Sequence, residues 1–136
     1  MKIIFKKQVI FLSLAFLFFA CEDKSYLKTI YNKELLNKDY QCLNLKLSPY
    51  SSNIYNNIKD IYPFSTNCDN ILKITYKSNI GCNSNFNTNK SFNSFIQIEL
   101  NNKNTKVYSI YKDLKDANIS YEIKKGYKEL CKKIKI

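Results

Sequence analysis

Five cysteines and no histidine bound the chemistry open to this chain. Thiols can pair as disulfides, hold a metal or attack an electrophile. Without imidazole, Ser–His–Asp and Cys–His catalysis fall away, as does the commonest zinc ligand. Cys42, Cys68, Cys82 and Cys131 lack the close C-x-x-C pairing of a zinc site, so no metal is expected. An even number of thiols in an oxidising compartment reads instead as two disulfides. With Gly81 and Gly126 the only glycines, the chain cannot build a glycine-rich phosphate cradle. Paired carboxylates could hydrolyse a glycosidic bond. The 11 acids, however, are scattered, with no local pair beyond Glu22–Asp23. The expectation is a protein that is not an enzyme and needs no cofactor.

The fifth cysteine stands apart. Lys2, Lys6 and Lys7 precede an apolar run from Val9 to Ala20, broken only by Ser13 and ending at Cys21. A charged head, an apolar middle and a small residue before a cut site form a secretory signal. The run is too short to cross a bilayer, which takes about 20 helical residues. The stretch resembles the lipobox of bacterial lipoproteins, with Ala20 before the cysteine and Leu17 one place earlier than the usual leucine. Phe18 and Phe19 depart from that motif, and the bulk of Phe18 also departs from the A-x-A arrangement of an ordinary signal cut. The resemblance implies that residues 1–20 are a signal peptide and that Cys21 is acylated on its sulfur. It further implies a protein held to a bacterial membrane by lipid, where two or three acyl chains anchor stably and one does not. Glu22, in place of the aspartate that retains lipoproteins at the inner membrane, implies a periplasm-facing position on the outer one.

Removal of residues 1–20 from the 136 leaves 116, enough for one small domain. That part carries 19 lysines against 11 acids, a formal charge of +8. Such basicity could serve nucleic acid or anionic lipid. Every basic residue is lysine, though, with no arginine for bidentate phosphate or guanine contacts. The abundance of Asn, Ile, Lys, Tyr and Phe matches the drift of an AT-rich genome, and no nucleic-acid partner is expected. Eleven tyrosines and nine phenylalanines could make an adhesive face, but strand aromatics are more commonly core. "DANIS", residues 116–120, fits the extended sequon of bacterial oligosaccharyltransferases and makes Asn118 a candidate glycosylation site. The competing role is that Asn118 or Ser120 caps a helix.

The elements that must position these residues follow from periodicity. Residues 25–38 place Leu27, Ile30, Tyr31 and Leu35 at helical spacing, so residues 21–40 read as a lipidated tether or N-terminal helix. Residues 42–47 alternate as a half-buried strand, 51–62 form a short helix ended by Pro63, and 70–78 are β-prone. Residues 79–93 are an Asn- and Ser-rich loop. Two alternating runs around "NNKN" predict a hairpin over 94–112. Ile119, Ile123, Tyr127, Leu130 and Ile134 predict a helix over 119–133, at an expense of about 1 kcal/mol for Gly126 relative to alanine. The sum is one α+β domain over 41–136. It has a small antiparallel sheet of three or four strands, helices on one face and two disulfides.

Strand geometry orders the disulfide pairings. A straight strand over 70–78 carries the chain about 26 Å, and four returning residues recover only about 13 Å. Disulfide Cα atoms must approach within about 7 Å, which disfavours Cys68–Cys82. A parallel crossover would bring Cys42 and Cys68 to one sheet end, leaving Cys82 for Cys131. The function expected from the whole is a non-catalytic lipoprotein, bound to membrane lipid through Cys21, that binds another envelope protein as an accessory or assembly factor. The alternative is a surface-exposed adhesin, exclusion or inhibitor protein.

Overall fold

A computed structural model describes residues 26–79 and 92–136. Its framework is one five-stranded sheet. Strand β1 is Leu27–Ile30, followed by helix α1, Lys33–Leu36, and strand β2, Asn44–Ser48. Helix α2, Ser52–Ile58, runs into a 3₁₀ turn, Lys59–Ile61. Strands β3, Asn70–Lys77, β4, Ser94–Asn102, and β5, Thr105–Leu114, precede the long helix α3, Ile119–Cys131. The spatial order is β1-β5-β4-β3-β2. All pairings are antiparallel except β2 with β3. The fold is therefore α+β with a mixed sheet, and five strands replace the expected three or four.

The added strand comes from the segment read as an N-terminal helix. Leu27 to Ile30 pair with Tyr111 to Tyr108 along the outer edge of β5. The helical spacing there, Leu27 to Leu35, spans about two and a half turns, and so short a helix has little stability of its own. The open edge of β5 offers a ladder of backbone hydrogen bonds instead, and tertiary pairing overrides propensity. A bulge fixes where β1 ends. Leu100 faces Tyr108 while Asn101 faces Lys106, leaving Val107 unpaired in register. The Val107 carbonyl accepts from the backbone N–H groups of Tyr31 (3.0 Å) and Asn32 (3.2 Å). Asn32 Oδ1 then accepts from Leu35 N (2.9 Å) and starts the single turn of α1.

The other elements follow the periodicities more closely. Ser51 Oγ accepts from Ile54 N and caps α2. The hairpin of β4 and β5 is longer than expected, because Asn101 and Asn102 continue the ladder and only Lys103 and Asn104 turn. Lys103 takes a left-handed φ of 53° there. Helices α2 and α3 pack beside each other, and α3 packs on β4 and β5. The core lies between helices and sheet, where Ile58, Leu72, Ile74, Ile98, Leu100, Ile123 and Leu130 are fully buried.

Gly126 determines how close α3 comes to the sheet. A Cβ there would stand 2.8 Å from Ile98 Cδ1 and 3.3 Å from Ile96 Cδ1. The helix penalty expected of this glycine is thus set against close packing. Gly126→Ala should be nearly neutral, since about 1 kcal/mol of helix propensity offsets displacement of a side-chain tip. Gly126→Leu should lose about 2–3 kcal/mol in urea unfolding, because the three carbons beyond Cβ have nowhere to go. A leucine variant as stable as the parent would show that α3 can lift without loss.

Candidate functional site

Strand alternation sends the other half of each side-chain set to the face opposite α3. Since Ile96, Ile98 and Ile110 meet the helix, Phe95, Gln97, Glu99, Ser109 and Tyr111 point the other way. Among the described residues no helix packs on that face.

The face has two halves. Phe95 and Tyr111 stack with ring centroids 5.6 Å apart, and exposed Leu27 stands opposite Tyr111 in the ladder. A shallow depression beside them is lined by Ser48, Pro49, Thr75, Lys77 and Phe95. The Tyr111 hydroxyl donates to Asp113 Oδ1 at 2.6 Å. That bond, with burial adding to it, pushes the phenol pKa up to about 12. A raised phenol pKa stabilises the fold fully below the unfolded value of about 10, and the contribution is lost as pH rises through about 12. Asp113→Asn should bring the Tyr111 titration back toward 10 in ¹³Cζ-tyrosine NMR. A phenol still titrating near 12 would mean that burial, not the carboxylate, holds it.

The second half is a polar knot around Glu99, whose side chain is only 9% exposed. Glu99 accepts from Asn101 Nδ2 (3.0 Å) and pairs with Lys106 Nζ (3.2 Å). The ammonium of Lys106 lies 5.4 Å from the centroid of the half-exposed Tyr31 ring, and Ser109 Oγ donates to Tyr31 Oη at 3.5 Å. The bond to Glu99 holds the Lys106 pKa above its ordinary value. A buried carboxylate satisfied in this way is fixed in position and holds the knot rigid.

The cysteines divide. Cys42 and Cys68 form a disulfide with Cα atoms 5.9 Å apart, as the parallel crossover predicted. Asn70 Nδ2 donates to the Cys42 carbonyl (3.2 Å), and Asn102 Nδ2 donates to Asn70 Oδ1 (2.6 Å). The second expected bridge is not seen. Cys131 carries a free, half-buried thiol in the last turn of α3, and Cys82 lies outside the described residues. Burial pushes the Cys131 thiol up, partly offset by a hydrogen bond from Tyr127. Burial likewise raises Tyr127, with its bond to Cys131 adding to the shift. A protonated thiol is a poor nucleophile.

Cys21 also lies outside the described residues. Asn118 is exposed and caps α3, its Oδ1 accepting from Tyr121 N at 3.1 Å. Asp116 of the same sequon takes a left-handed φ of 47° and accepts from Asn93 Nδ2 at 2.6 Å. Among the described residues, no three His, Cys, Asp or Glu side chains gather where they could hold a metal. No described helix is long and apolar enough to cross a membrane. The alternation of 94–112 was legible from the start, but it could not say which of its two faces the helices would leave uncovered. No family model, curated protein or solved structure matches the chain.

Proposed function

We propose that this chain is a lipid-anchored envelope protein, non-catalytic, that binds another envelope protein through the uncovered sheet face. Its place is on a bacterial membrane, facing the periplasm and on the outer membrane by the residue after Cys21. The observation that carries the binding reading is the stacked pair of Phe95 and Tyr111 beside a rigid polar knot, on a face that no described helix covers. Aromatic rings give large contact area for little entropy, and a fixed polar group beside them gives register.

Photo-crosslinking in intact cells tests it. A photoreactive residue replacing Thr75 or Gln97, on the uncovered face, should give a discrete adduct with one envelope protein. The same residue replacing Tyr55, on α2, should not. Loss of the adduct in a Phe95→Ser/Tyr111→Ser variant that still folds is expected. Equal adducts from α2 would sink the assignment of the face. Digestion of the protein by protease on intact cells would move the same face to an outward-acting adhesin, exclusion or inhibitor protein.

A further inference from the structure

We infer that one end of the sheet lies directly against the lipid headgroups, an inference that rests on the lipid anchor proposed above. Tyr26 is the first described residue, just ahead of β1. That residue is 9% exposed, and its ring lies 5.0 Å from Lys112 Nζ, which in turn pairs with Glu122 of α3. The domain is therefore pinned from Tyr26 onward, five residues after Cys21. Five residues reach at most about 17–18 Å however they run. The headgroup layer of one leaflet takes about 5–7 Å of that reach. The end of the sheet at Tyr26 thus stays within about 13 Å of the membrane surface.

That end also carries the exposed apolar side chains. Leu27, Tyr111, Gln97, Thr75 and Ser48 form one row across the five strands. Tyr50 follows Ser48 by two residues, and Phe92 precedes Ser94, which pairs with Leu114. Helix α3 runs antiparallel to β5, with Glu122 at Lys112 and Gly126 over Ile110, so Tyr121 is at the same end. Leu27 (66%), Tyr50 (70%), Phe92 (45%) and Tyr121 (59%) are four of the six large apolar side chains exposed among the described residues. Only Ile30 and Tyr31 lie toward the other end. Tyrosine suits the headgroup level, with an apolar ring and a wet hydroxyl, and phenylalanine and leucine suit the acyl boundary just beneath it. Exposed Lys77, Lys115 and Lys124 flank the patch, but Asp113 and Asp116 are there as well. The contact is therefore aromatic and apolar rather than purely electrostatic. It leaves the Cys42–Cys68 bridge and the Lys103–Asn104 turn at the end away from the membrane.

The chain has no tryptophan, so single substitutions report their own depth. Leu27→Trp, Phe92→Trp and Tyr121→Trp would be compared with Asn104→Trp and Lys133→Trp at the far end. Each is made in the full chain, purified from membranes and reconstituted in phosphatidylcholine vesicles brominated on the upper acyl carbons. Side chains seated about 5–10 Å into the interface should lose about half their fluorescence, and the far-end pair should lose none. Intact mass gives the acylation state of each sample. Acylated protein with equal quenching at both ends, or none at the near end, overturns this inference and leaves the anchor standing. A mass showing no acyl chain on Cys21 overturns the anchor and this inference together.

Discussion

Cys21→Ser is expected to abolish fatty-acid labelling and to leave the precursor uncut. The sulfur is the atom that would carry the diacylglycerol, and a serine hydroxyl is far less nucleophilic because it is scarcely ionised at neutral pH. Each buried methylene contributes about 0.8 kcal/mol to membrane binding, so two or three acyl chains hold the protein essentially irreversibly. Without them the uncut precursor should carry no label and stay at the membrane only through its apolar run. Fractionation with labelled palmitate reads both results. Label persisting in Cys21→Ser would sink the lipobox reading, whatever the domain does.

The paired Cys42→Ala/Cys68→Ala variant should be less stable by about 3.5 kcal/mol, the loop-closure entropy of a separation of 26 residues. The bridge joins the starts of the two parallel strands, β2 and β3. Parallel pairing needs a long crossover, and the bridge restricts the unfolded ends of that crossover. Against a typical domain stability of about 5–15 kcal/mol, the loss is large. Urea unfolding of the oxidised parent and the double variant measures it. A difference under about 1 kcal/mol would mean that the bridge constrains nothing the crossover does not already constrain. In the same samples, alkylation of native protein should be slow at Cys131, because burial keeps that thiol protonated.

What could be read from the sequence was what local pattern controls. Period-two alternation set the hairpin of β4 and β5, and the stripe Ile119, Ile123, Leu130 set α3. The strand-helix-strand order over 42–78 set the parallel crossover, and with it the Cys42–Cys68 bridge. The anchor reading rests on sequence alone, since residues 9–21 carry it.

Other features depend on groups far apart in the chain, and no local pattern encodes them. Leu27 and Ile30 satisfy helical spacing, and only the open edge of β5 and the bulge at Val107 decide for a strand. Gly126 reads as a weak point in a helix until Ile96 and Ile98 are seen beneath it. Glu99 and Lys106, or Phe95 and Tyr111, are ordinary hairpin residues by sequence. Their positions on the uncovered face follow from where α3 docks. The gathering of Leu27, Tyr50, Phe92 and Tyr121 at one sheet end joins four separate segments. The sequence supplies each side chain, but which of them end up as neighbours depends on strand register and helix docking, because burial of the core is optimised over the whole chain at once.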